Sequence, residues 1–126
     1  MNTSRSNPSF APQRGLRVRQ EAAVLARVSL AAVDAMPDGV RGLYADQMRR
    51  AAASIYANLA EGEGRPTKPD RLRFFHIAWA SRRELQAHAD LAITAGALSA
   101  ADAAALRHHC RQVGHMLHAL LRALAR

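Results

Sequence analysis

SAADAAALRHHCRQVGHMLHALLRAL, residues Ser99 to Leu124, decides the fold. Leu106, Cys110, Val113, Leu117, Leu120 and Leu124 recur in steps of 4, 3, 4, 3 and 4. That spacing keeps one apolar seam on one side of a helix and suits packing against neighbouring helices. Ser99 stands where an N-cap oxygen is needed. Asp102 follows three residues later, a shortened form of the capping box. The three alanines before Leu106 enter a helix without losing side-chain entropy.

Outward from this helix the same period repeats three times. Val18, Ala22, Leu25, Val28, Ala32 and Met36 form a stripe ended by Pro37-Asp38-Gly39. Tyr44, Met48, Ala51, Ile55 and Leu59 form a second, on a helix expected from about Val40 to Glu61. The break Gly62-Glu63-Gly64-Arg65-Pro66 follows it. Thr67 is placed to cap a third helix, with Pro69 early in it and Asp70 at its positive end. Phe74, Ile77, Ser81, Leu85 and Leu91 are its expected stripe, ending at Gly96. Strand formers never cluster, which argues against a sheet. Four long helices with short connections give an all-α, antiparallel up-down-up-down four-helix bundle over residues 15–126. Residues 1–14 are polar, aperiodic and contain Pro8 and Pro12, so they are expected to be a disordered tail.

At 126 residues, 49% of them apolar, the chain has material for one core and no second domain. A single cysteine, Cys110, excludes an intramolecular disulfide and fits a reducing compartment. There is no apolar run long enough for a transmembrane helix and no signal-peptide core. A cytoplasmic location is expected.

The net charge is +8. Arg5, Arg14, Arg17 and Arg19 precede the first acid, Glu21. Such a balance favours polyanionic partners. Only Lys68 among the 18 cations is lysine. Arginine and alanine share GC-rich codons, so coding bias is an alternative source of the charge.

The chemistry-bearing residues do not form a catalytic or metal constellation. At about 100° per residue, His108, Arg111, His115, His118 and Arg122 share an arc of about 80° opposite the apolar seam. Histidines interleaved with arginines and facing away from the core make a poor metal cage. They suit a polyanion. Glu84 and His88 form only part of the motif a di-metal bundle needs. Gly62-Glu63-Gly64-Arg65 follows a helix rather than a strand and carries an acid, so it is no phosphate loop. Cys110 lies on the seam, where burial makes a thiol inert. Ser54, Asn58 and Glu61 on the second helix and Ser81 and Glu84 on the third are expected to form a buried polar network, together with Arg50. Its role would be to fix helix register. No enzymatic activity, cofactor or metal is expected.

Two stretches carry a family resemblance. The run Gln47-Met48-Arg49-Arg50-Ala51-Ala52-Ala53-Ser54-Ile55-Tyr56-Ala57-Asn58-Leu59-Ala60-Glu61-Gly62 is the longer. Phe74 and Ile77-Ala78-Trp79-Ala80-Ser81-Arg82-Arg83-Glu84-Leu85, followed by Gly96-Ala97-Leu98, make up the second. Together they resemble a bacterial four-helix-bundle family encoded in intervening sequences of 23S ribosomal RNA genes and at ordinary chromosomal loci. The likeness spans roughly residues 16 to 124. It implies the same bundle, a ring-like homopentamer and no enzymatic activity. It also implies kinship to the accessory protein of diversity-generating retroelements, a basic pentamer that binds a reverse transcriptase and nucleic acid. Arg19 stands near where relatives often carry an aromatic residue, and Tyr56 and Ala57 replace small residues or proline.

The expectation is therefore a non-enzymatic, self-assembling bundle that binds RNA or DNA. Arg107, Arg111, His115, Arg122 and the tail arginines are the candidate contacts. The alternative is a homo-oligomeric scaffold for a protein partner, such as a reverse transcriptase.

Overall fold

The computed structural model describes residues 12–126. Four helices follow in order: α1 (Pro12–Asp34), α2 (Asp38–Glu63), α3 (Lys68–Thr94) and α4 (Ala100–Ala125). Each packs on the next, and α1 closes the ring against α4. Connections of a few residues force each helix to reverse direction, which gives the antiparallel four-helix bundle. No strand occurs among the described residues, and none of their helices is long and apolar enough to cross a membrane.

The caps follow the sequence chemistry. The Thr67 hydroxyl accepts from the Asp70 N–H at 3.4 Å, and the Ser99 hydroxyl accepts from the Asp102 N–H at 3.1 Å. At the end of α3 the chain turns through Gly96, whose φ of +73° suits a residue without Cβ. The Ala97 N–H then reaches the Ala92 carbonyl at 2.9 Å and the Gly96 N–H reaches that of Ile93 at 3.0 Å, closing a Schellman turn.

Three boundaries differ from those read in the sequence. Helix α1 begins at Pro12, so residues 12–14 belong to it rather than to the tail. A proline at the first helical position loses nothing, because that N–H has no partner within the helix. The remainder of the expected tail, residues 1–11, lies outside the described residues. Asp38 and Gly39 do not end α1 but start α2, with the Pro37 carbonyl accepting from the Val40 and Arg41 N–H groups at 3.0 Å. Helix α2 also runs past Gly62 to Glu63.

The core contains the expected residues of α1, α2 and α4: Val18, Leu25, Met48, Ile55, Leu59 and the whole Leu106–Leu124 seam are buried. In α3 Ser81 and Leu85 of the expected stripe are buried, and the rest of the stripe is displaced. Phe75, Ala78, Leu85, Ala89 and Ala92 face inward, while Ile77 and Leu91 are exposed and Phe74 is half-buried. Alanines on the inner face let α3 approach α2 closely. Gly62 carries this furthest: a Cβ there would stand 2.5 Å from the Phe75 ring.

Ser29 is an unforeseen buried polar residue. Its hydroxyl donates to the Leu25 carbonyl at 2.8 Å and so needs no other partner. At the α1/α2 seam the Arg19 guanidinium donates to Glu63 Oε2 at 2.9 Å and to the Tyr56 hydroxyl at 3.0 Å, and the hydrogen bond it donates to Glu63 holds its pKa above the ordinary value. Arg19 and Tyr56 thus touch each other across the seam.

Candidate nucleic-acid interface

Because the α4 seam is buried to the last leucine, the opposite face of the helix must be outward, and the charged residues lie there. Arg107, Arg111, His115 and Arg122 are all exposed, as are His108 and His118. Their partners differ. Arg107 reaches Asp90 on α3 at 3.7 Å. Arg111, His115 and Arg122 have no ion pair among the described residues. His118 meets the Trp79 ring at a centroid distance of 6.1 Å. His109 turns the other way, into the α1/α4 seam, where Nδ1 lies 2.7 Å from Glu21 Oε2.

The stripe does not end with α4. Arg14 at the start of α1 lines one cleft with Arg122 and Arg126, and a second with Arg17 and Met116. Antiparallel topology brings the N-terminus of α1 to the C-terminus of α4, so residues about 110 positions apart in sequence add to one basic end. Among the described residues no acidic one lines either cleft. Arg126 was not singled out in the sequence, and only the bundle topology places it beside Arg14.

A further cation on the neighbouring α3/α4 seam also escaped the sequence pattern. Arg82 is half-buried, with its guanidinium 4.5 Å from the Trp79 ring centre and its Nη1 donating to the Cys110 carbonyl at 3.4 Å. Its Nε is buried and has no acceptor. Burial lowers its pKa. Gly114 of α4 lies beneath it: a Cβ there would stand 2.9 Å from the Arg82 Cζ. Cys110 itself is fully buried, and burial pushes its thiol up to about 11. At neutral pH it stays protonated and unreactive, as its place on the seam implies.

The expected polar core is present in part. The Ser54 and Ser81 hydroxyls meet at 2.7 Å across the α2/α3 seam, and the Asn58 amide donates to the Ser54 carbonyl at 2.8 Å and to its hydroxyl at 3.1 Å. Arg50, Glu61 and Glu84 do not join them; all three are exposed. Glu61 pairs with Arg65 at 2.7 Å, and Glu84 stands 4.0 Å from His88. The reason is reach. Serine and asparagine beside the stripe are short enough to bond within the seam, whereas a carboxylate or guanidinium on a longer stem gains more from water. Instead of sealing the core, these residues decorate the outside of α2 and α3.

No group of three or more potential metal ligands occurs among the described residues. The Gly62-Glu63-Gly64-Arg65 segment is occupied by helix packing and helix termination, with Gly62 against Phe75 and Gly64 at the C-cap. No curated protein matches the chain. A family model does: that of the 23S rRNA-intervening sequence protein matches residues 14–119, from the first turns of α1 into the last turns of α4. A match over that much of the chain, on a four-helix fold, shows that the chain belongs to the 23S rRNA-intervening sequence protein family.

Proposed function

We propose that this protein is a non-catalytic, self-assembling cytoplasmic module that holds RNA or DNA by its phosphates along the outer face of α4 and the basic end it shares with α1. One observation carries the reading. Arg19, Arg41, Arg49, Arg65, Arg73 and Arg107 each stand near a carboxylate. Arg14, Arg17, Arg111, Arg122 and Arg126 have none among the described residues, and all five are exposed. Exposed guanidinium groups without internal anions are free to exchange small counterions for phosphates. Contacts of that kind position a nucleic acid without reading its bases, so little sequence preference is expected.

Fluorescence anisotropy with a structured RNA and a duplex DNA tests this. Affinity should fall steeply with salt. Replacing Arg111 and Arg122 with Ala should weaken binding and flatten the log–log salt slope by about one unit per lost contact. No binding by the wild-type chain at about 50 mM salt would overturn the proposal and leave a protein scaffold, with a reverse transcriptase as the partner the family kinship suggests.

Self-assembly has its own support. Leu43, Arg50 and Ala57 on α2 and Ile77, Glu84 and Leu91 on α3 recur at seven-residue spacing on outward faces beside the Ser54–Ser81 seam. Leu43 is 69% and Leu91 58% exposed. Apolar residues interleaved with both signs of charge suit a second copy of the same surface better than they suit a polyanion. Sedimentation equilibrium at micromolar concentration should report a homo-oligomer, with five subunits the size the family resemblance implies. Leu91→Arg should shift it toward the 13.7 kDa monomer, and a wild-type chain found only as monomer would refute the assembly.

A further inference from the structure

Arg82 is placed at a cost that the fold does not require. A guanidinium carries five N–H donors. Inside the bundle this one has a single long bond to the Cys110 carbonyl, a ring face, and a buried Nε with no acceptor. No carboxylate lies within ion-pair distance of it among the described residues. A cation moved partly out of water without a counter-charge is unfavourable, and the lowered pKa is the same penalty seen as proton affinity. A second cost sits beneath it. Gly114 occupies the interior of α4, where glycine is a poor helix former, and its missing Cβ is what leaves room for the guanidinium. Two unfavourable choices on two helices thus serve to hold one cation in one place. Local choices that oppose stability are expected where the chain does something other than fold.

Beside Arg82 the surface of α3 carries a cleft of about 300 Å³ lined by Arg82, Arg83, Gln86, Ala87 and Asp90, all of them residues of α3. Its one acid is already engaged. Asp90 accepts from Gln86 Nε2 at 3.2 Å and stands 3.7 Å from Arg107. Arg83 is exposed and close enough to Arg82 to raise the local positive potential. The cleft therefore presents a half-buried guanidinium and an exposed one, with a further cation, Arg107, 3.7 Å from its Asp90.

We propose that this cleft on α3 is a phosphate-receiving site, with the Arg82 guanidinium as its anchor and Arg83 as its second donor. A phosphate supplies what Arg82 lacks: an anion that shares its desolvated charge and accepts its unused N–H groups in the planar fork geometry that guanidinium favours. The same chemistry comes from two sources, the phosphodiester backbone of a nucleic acid or a free phosphate. The first source rests on the function proposed above, since the cleft adjoins the α4 stripe through Arg107; the second does not.

Trp79 is the single tryptophan of the chain and lies against Arg82, so its emission reports directly on the site. The full chain is titrated with inorganic phosphate and, separately, with a single-stranded oligonucleotide, each against sodium chloride at matched ionic strength. A saturable change in Trp79 emission with at least one of them, beyond that of chloride, is the expected result. Arg82→Met keeps the stem and removes the charge, and should weaken the response by about tenfold or more. Gly114→Ala removes no cation but pushes the guanidinium aside, and should weaken it several-fold while the helical circular dichroism and melting curve are retained. Arg82→Lys should restore only part of the response, because a point charge replaces a fork. A response to inorganic phosphate without oligonucleotide binding would support the site while the nucleic-acid function falls. Oligonucleotide binding that neither Arg82→Met nor Gly114→Ala alters would overturn the site while leaving that function standing. A Trp79 signal indifferent to both probes overturns it as well.

Discussion

Gly62, in the last turn of α2, and Gly114, in the interior of α4, each admit one large side chain from α3, yet the two admissions serve opposite ends. At Gly62 the guest is Phe75, fully buried in the core, and the approach of ring to backbone is what joins α2 to α3. At Gly114 the guest is Arg82, half-buried, unpaired and facing a cleft. A glycine that makes room for an apolar ring buries surface that drives folding. A glycine that makes room for a cation adds a desolvation cost and leaves a charged group at the surface, open to a ligand. The same local device, a missing Cβ, is thus structural on one seam and available for binding on the other.

The largest effect that separates the two cases is on stability. A Cβ at position 62 would fall 2.5 Å from a ring that has no space to retreat, since Phe75 is enclosed on all sides. Gly62→Ala should therefore cost about 1–3 kcal/mol by overpacking, even after the gain in helix propensity. At position 114 the colliding atoms are the far end of a flexible side chain that can swing toward solvent. Gly114→Ala should be neutral or stabilising by up to about 1 kcal/mol. Thermal or urea unfolding of the two variants side by side checks this. Equal destabilisation would show that Arg82, like Phe75, is there for packing, and the comparison would collapse.

How much of this was legible in the sequence follows from how local each signal is. The α4 seam, the Ser99 and Thr67 caps and the turn at Gly96 depend on residues a few positions apart, and all are found as expected. The α3 stripe misled because its inner face is largely alanine, while large apolar residues such as Ile77 and Leu91 lie outward. Ranking positions by hydrophobic size favours the wrong face where close helix packing selects small residues. The outward direction of Arg107, Arg111, His115 and Arg122 was legible, being the complement of a strong seam. Arg82 was not, because a cation adjoining a stripe reads as solvated, and its pairing with Gly114 joins positions 32 residues apart that only the tertiary structure brings together. The same limit explains Arg50, Glu61 and Glu84. Their spacing continues that of Ser54 and Asn58, but spacing alone does not tell a short side chain that bonds within the seam from a long one that leaves it.

The polar part of the α2/α3 seam offers a smaller test of the same contrast between structural and exposed positions. A cost of about 1–3 kcal/mol for Asn58→Ala would require the substitution to orphan a buried partner. The geometry removes that condition. The Ser54 hydroxyl loses the Asn58 amide but keeps Ser81 at 2.7 Å, and the Ser54 carbonyl retains its helical position as an acceptor for the backbone. What is lost is one net side-chain hydrogen bond in a half-buried setting, offset in part by the better helix propensity of alanine. Asn58→Ala should thus cost about 0.5–1 kcal/mol. Glu84→Ala should change stability by less than about 0.5 kcal/mol, since its side chain is 57% exposed and its contact with the His88 ring is a long one of 4.0 Å. Urea titration at neutral pH, with both variants under conditions that keep the oligomeric state constant, resolves the difference. A Glu84→Ala penalty equal to or larger than that of Asn58→Ala at fixed subunit number would mean that Glu84 is tied into the bundle, and the division between the seam and its outer face would have to be redrawn.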